Sequence, residues 1–271
     1  MTSRRAGTFS SRRGIPPRLS LVLDIEAVTD PALEDLETDR DGKRRFPPPP
    51  AHQIVCVGFA FVEDHRVVEW GVLDDDERTQ LLKLTRSIAT ADPRLVTMNG
   101  RHYDLPVIAA RCLALGVSHP WYYASKNPRY RYSDESHLDL MDQLSDNGAA
   151  PRASLDAWAR VVGWPGKAIT GESAITGRDV PELLASGGVR AVADYCMRDV
   201  CQTVAVLLRW ELLRGALSED EFRRAAQALL DRAEADPRTA ALAFGVDRAR
   251  WLLEEPSEEE TDADQEGGGT V

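Results

Sequence analysis

The sequence predicts an α/β fold: a mixed β-sheet flanked by helices, with extra helices at the C-terminal end. Three observations lead there. Early apolar, β-branched runs arrive as a strand meander, helical and strand spacings then alternate, and beyond residue 181 the pattern is helical. A meander followed by alternation puts antiparallel and parallel neighbours in one sheet, with helices on its faces.

Leu19 to Glu26 is continuously apolar before its acidic end and reads as a buried strand. Residues 27–50 form a polar connection ending in Phe46 and Pro47–Pro50, which lack the N–H a sheet ladder needs and predict an extended lead-in. Gln53 to Val62 is the strongest strand signal. Glu63-Asp64-His65 makes a turn into an antiparallel neighbour, Arg66 to Leu73. Asp76 to Thr90 has helical spacing, Leu95 to Met98 is a short strand, and Leu105 to Leu115 is a helix stopped by Gly116. Residues 117–136 are a loop in which aromatic and basic side chains alternate, from Trp121 through Lys126 to Tyr132. His137 to Met141 predicts another strand. Ser154 to Val162 predicts a helix with Ser154 as its N-cap, followed by a Gly-rich stretch from Gly163 to Gly177. From Pro181 to about Leu253 the chain is helical, with breaks at Gly187-Gly188, Gly215 and Asp236-Pro237. No internal repeat is visible.

The 271 residues are 43% hydrophobic, enough for a sizeable core. A net charge of -11 argues against a protein that coats nucleic acid by bulk charge, but not against an enzyme with a local basic path. Residues 1–18 carry five arginines and residues 254–271 are acidic and Gly-rich, so both ends read as disordered tails. No stretch reaches the ~18 apolar residues of a membrane span. The basic start lacks the apolar core of a signal peptide, although an Arg- and Ser-rich transit peptide is an alternative reading. Four cysteines without C-x-x-C spacing suit a reduced, cytoplasmic protein without membrane contact.

Three acidic patterns stand out by context. Asp24-Ile25-Glu26 follows directly on an apolar strand, and residues two apart on a strand share a face. Asn99-Gly100-Arg101-His102-Tyr103-Asp104 lies where a strand gives way to a helix. Tyr195 and Asp199 are four apart inside a helical stretch and also share a face. Similar patterns at Asp35-Leu36-Glu37, Asp75-Asp76-Glu77 and Tyr130 to Asp134 sit in polar connections, where carboxylates are solvated. Singly, Asp104 has a helix-dipole explanation and Asp199 a helical ion-pair explanation with Arg198 or Arg209. Two same-face carboxylates ending an apolar strand lack so simple an account. Four carboxylates converging on one pocket repel unless cations lie between them, and hard divalent ions take oxygen ligands. Asp24, Glu26, Asp104 and Asp199 are therefore candidate metal ligands, and with Tyr195 the candidate catalytic set.

These three patterns resemble the exonuclease motifs of the DEDD superfamily of 3′–5′ exonucleases, in its tyrosine subtype. The histidine subtype would carry His where Asp194 stands. The second motif is most similar to that of the proofreading domain of family-B DNA polymerases. Pro50 to Val55, His137 to Asp142 and Gly163 to Lys167 further resemble a stand-alone group of predicted exonucleases related to that domain. The resemblance covers about residues 19–213, the expected exonuclease domain, leaving 214–253 as a helical extension. It implies a ribonuclease H-like fold and two Mg²⁺ or Mn²⁺ ions. It also implies that Asp24 bridges both ions, Glu26 and Asp199 hold one, and Asp104 supports the other. Tyr195 is implied to hydrogen-bond the attacking water or the scissile phosphate. Asn99 and Tyr103 are expected to contact the terminal nucleotide and Lys167 the phosphate backbone.

The expected activity is release of 5′-mononucleotides from 3′ ends of single-stranded DNA. Alternatives are an exoribonuclease of the same superfamily, a catalytically inactive nucleic-acid-binding module, and a partner of a repair or replication protein acting through the acidic tail.

Overall fold

A computed structural model describes residues 19–39, 41–43, 45–123, 128–167 and 177–254. The expected basic tail (1–18), most of the expected acidic tail (255–271), Lys126 within residues 124–127, and residues 168–176 of the Gly-rich stretch lie outside the described residues.

Among the described residues the sheet has five strands, in the order β3-β2-β1-β4-β5. β1 (Ser20–Thr29), β2 (His52–Glu63) and β3 (Arg66–Leu73) form the antiparallel meander. β4 (Arg94–Thr97) lies parallel to β1, and β5 (His137–Asp139) parallel to β4. The β2–β3 turn places Asp64 and His65 at φ 48° and 62°, two consecutive left-handed residues whose twist suits a tight hairpin. A bulge follows Glu26, where the register with β2 shifts between Glu26 and Ala27.

Alternation along β1 divides the core. Leu21, Leu23 and Ile25 face α1 (Glu77–Ala91) and α2 (Asp104–Leu115), whose buried stripe includes Leu81, Leu84, Ile88, Leu105 and Ile108. Val22 faces the opposite layer with Ala60 and Val96. That layer contains α5 (Leu155–Val161) and the long α6 (Val180–Leu213), which lies across β1 and β2. Smaller helices are α3 (Pro120–Tyr123) and α4 (Leu140–Leu144). Among the described residues three more follow α6: α7 (Glu219–Ala235), α8 (Ala240–Phe244) and α9 (Arg248–Leu252). Phe222, Leu229 and Trp251 from them share one core with Val22, Met197 and Val204. This mixed sheet, layered on both faces by helices, is a ribonuclease H-like arrangement.

The prolines depart from expectation, because Pro49–Ala51 closes into a 3-10 turn rather than continuing extended. The polar connection also contains a 3-10 segment, Pro31–Glu37, with the Asp30 carboxylate accepting from Ala32 N–H. The strand expected from His137 to Met141 stops at Asp139, whose side chain accepts from Met141 N–H at 3.0 Å and so caps α4. At the break expected at Gly187-Gly188, Gly188 takes φ 67° inside α6 and the helix resumes beyond it. No helix among the described residues is long and apolar enough to cross a membrane. All four cysteines are buried free thiols.

Candidate active site

The site forms where β1 meets the ends of the two shorter parallel strands. Val22 pairs with Val96 and Thr97 with Asp139, so β4 and β5 both end near the level of Asp24. Asp24 and Glu26 project from β1 toward α6, the helix carrying Tyr195 and Asp199. Carboxylate oxygens of Asp24 and Glu26 and the Cys196 sulfur lie within 4.8 Å of one another. Asp104 arrives from the other side, its carboxylate accepting from the Ile25 backbone N–H at 3.1 Å.

Glu26, Asp104, Tyr195 and Asp199 are buried, while Asp24 keeps some solvent access. Desolvation and mutual repulsion push the acids upward. Asp24 is raised by loss of solvent and then by Asp104 and Asp199; Glu26 by burial and then by Asp24 and Asp199. Asp104 is pushed up to about 7, chiefly by burial, against the hydrogen bonds from its own N–H and that of Ile25. Burial also raises Asp199, and Lys167 opposes it. The structure therefore brings the four predicted carboxylates into one electrostatically linked group, and an excess of buried negative charge calls for cations. Its oxygens suit hard divalent ions, whereas the Cys196 thiol donates to Asp24 (3.7 Å to the carbonyl, 3.5 Å to Oδ2) and is itself held protonated, first by Cys56 and then by burial.

Lys167 comes into this group. Its Nζ donates to the Tyr195 hydroxyl at 2.5 Å and lies 3.7 Å from Asp199 Oδ2. Burial and the neighbouring carboxylates raise the phenol further above its ordinary pKa, so it is a proton donor and not a base at neutral pH. Asp199 thus has Lys167 as its cation. Arg198 instead reaches the Arg238 carbonyl, and Arg209 the carbonyls of Arg250 and Trp251.

The second motif owes its shape to backbone chemistry. Asn99 has φ 72°, a conformation asparagine tolerates better than most residues. A Cβ at Gly100 would sit 2.5 Å from Thr97 Cβ, so only glycine fits. Asp139 clamps this turn, accepting from Asn99 N–H and Arg101 N–H at 2.9 Å each. Tyr103 packs edge-on to His52 with ring centroids 5.1 Å apart, and Phe46, 73% exposed, leans on both rings.

Sequence reasoning assigned no role to Asp139, Cys196 or Phe46. Asp139 carried a signal, since an acid at a strand end commonly caps the next helix. Phe46 carried another, a lone large aromatic in a polar connection. The contact of Cys196 with Asp24 joins positions 172 residues apart and had no local trace.

The sequence model described as "Predicted 3′-5′ exonuclease related to the exonuclease domain of PolB" matches residues 44–245. DNA polymerase 1 of Pyrococcus abyssi, and that of its strain GE5 / Orsay, are each 25% identical over 166 residues. That covers 54% of this chain and 21% of each polymerase, so the chain spans about a fifth of the length of these relatives. The family B DNA polymerase of the hyperthermophilic archaeon Pyrobaculum calidifontis resembles the chain with a TM-score of 0.49 and 17% identity, over 81% of this chain and 29% of that one.

Proposed function

The chain belongs to the family of 3′–5′ exonucleases related to the exonuclease domain of PolB, and from that premise we propose that it removes 5′-mononucleotides from the 3′ ends of single-stranded DNA with the help of two divalent cations. The observation carrying this reading is the convergence of Asp24, Glu26, Asp104 and Asp199: Asp24 and Glu26 lie side by side on β1, Asp104 is tied to the Ile25 N–H between them, and Asp199 faces them from α6.

Asp24, Glu26, Asp104 and Asp199 would hold the two cations, Mg²⁺ or Mn²⁺. When bound, such ions supply Lewis-acid stabilisation and a nucleophile at neutral pH. The protein's own groups do the rest. Tyr195 donates a hydrogen bond to the attacking water or the scissile phosphate, and Lys167 sets the hydroxyl's direction and faces the phosphate with its charge. Asn99 and Tyr103 receive the terminal nucleotide, and exposed Phe46 beside Tyr103 offers a stacking face. Residues 19–213 carry the exonuclease site, and the helices of 214–253, which the family match includes as far as residue 245, brace α6 from behind. A cytoplasmic setting and a repair role fit this activity.

Oligonucleotides labelled at the 3′ or the 5′ end, in DNA and RNA forms, test the reading with Mg²⁺, Mn²⁺ or EDTA. Stepwise loss of a 3′ label from DNA, abolished by EDTA and by Asp24→Ala or Asp199→Ala in folded protein, is the expected result. Preference for RNA would make the enzyme an exoribonuclease. Undiminished activity in the Ala variants would refute the site.

A further inference from the structure

Three arginines from separate segments meet at one buried carboxylate beside the second motif. Asp142, on α4, has a side chain only 2% exposed. It accepts from Arg101 Nε at 2.9 Å and, through its other oxygen, from Arg131 at 3.0 Å, with Arg152 at 3.8 Å. Arg152 also reaches His102 Nε2 at 3.2 Å. Arg129 stands nearby, over the rings of Tyr122 and Tyr123. Asp139, a neighbouring carboxylate, is engaged by the backbone N–H groups of Asn99, Arg101 and Met141. Arg101, Arg131 and Arg152 thus crowd on a single carboxylate, a local concentration of positive charge within a chain of net charge -11.

One arginine would satisfy Asp142 as a structural partner. Gathering several on it creates like-charge repulsion that an anionic ligand relieves. Donors remain for such a ligand. The side chains of Arg131 and Arg152 are 31% and 37% exposed, and the buried Arg131 Nε–H has no partner among the described residues. Tyr130 and Tyr132, which flank Arg131 in the chain and meet edge-on with ring centroids 5.7 Å apart, are 53% and 68% exposed. The position is informative, because Arg101 precedes Asp104 by three residues in the turn that Asp139 clamps, so the patch is continuous with the site.

We propose that Asp142 organises Arg101, Arg131 and Arg152 into a phosphodiester-binding triad that grips the single strand on the 5′ side of the nucleotide being removed, with Tyr130 and Tyr132 as stacking faces. Guanidiniums match phosphate oxygens bidentately, and aromatic faces take bases without sequence preference. The proposal rests on the exonuclease reading and names where its substrate lies.

The test is fluorescence anisotropy of a 5′-labelled oligothymidylate with the full chain carrying Asp24→Asn, titrated with salt. Adding Arg131→Gln and Arg152→Gln should weaken binding by at least about tenfold and lower the slope of log affinity against log salt by about 1.4, at ~0.7 per lost phosphate contact. Arg131→Lys with Arg152→Lys should restore the slope but only part of the affinity, since lysine offers charge without the fork. A matched oligoribonucleotide should show the same loss, because backbone contacts carry no base information. Unchanged affinity and slope in the Gln variant overturn the triad. If the enzyme with Asp24 intact still degrades oligonucleotides, only the triad falls; if it degrades none in Mg²⁺ or Mn²⁺, the exonuclease reading falls with it.

Discussion

Tyr195 shows how one residue's surroundings decide its part. Its hydroxyl accepts from Lys167, which also faces Asp199, and burial keeps its own proton in place. Tyr195→Phe removes one oriented donor and leaves every carboxylate, so turnover should fall about tenfold to a hundredfold without vanishing. Complete loss in a quench-flow assay would mean that the hydroxyl does more than orient. Asp24 sits at the centre of the repulsion, so Asp24→Asn should abolish turnover yet raise the melting temperature of the ion-free protein by a few degrees. A lower melting temperature would show that this carboxylate is compensated within the fold. These roles were legible to different degrees. Same-face spacing along the sequence shows that Asp24 pairs with Glu26, and Tyr195 with Asp199. It cannot show that Lys167 joins them, because that contact depends on how the chain returns from α5 to α6.

At the scale of elements, the close seating of α6 on β2 sets the geometry. A Cβ on Gly58 would lie 2.7 Å from both the Cys196 sulfur and Val200 Cγ2. Gly58→Ala should therefore push the helix outward, costing about 1–3 kcal/mol in denaturant unfolding and lowering turnover as Tyr195 and Asp199 move away from β1. Loss of stability with full activity would mean that β2 gives way instead. Long periodic elements could be read from the sequence: apolar runs gave β1 and β2, and α1 kept its helical spacing. The short ones could not. His137 to Met141 reads as a strand by composition, but the Asp139 side chain caps the following turn, and capping overrides the propensity of Leu140 and Met141. Pro47–Pro50 likewise suits extended chain, yet the Ala51 N–H finds the Pro48 carbonyl at 2.9 Å and the segment curls.

At the scale of the molecule, the buried acids link stability to pH and to cations. Their folded-state pKa values lie above the unfolded ones, so the folded ion-free protein holds more protons than the unfolded chain. That contribution to stability is present at low pH and is lost as pH rises from about 4, the unfolded carboxylate value, through the folded values. For Asp104 the folded value is about 7. Divalent ions favour the ionised form, so Mg²⁺ should raise the melting temperature more at pH 8 than at pH 5. Equal shifts at both would show that the ions bind elsewhere. The helices after residue 213 carry a last consequence. Phe222 and Trp251 pack in the same cluster as Val200, the residue next to Asp199 on α6, and Val204, just over one turn beyond it. Heat that loosens the C-terminal layer therefore also unseats Asp199, leaving no intermediate temperature at which a frayed molecule still cuts; inactivation and melting should trace a single curve.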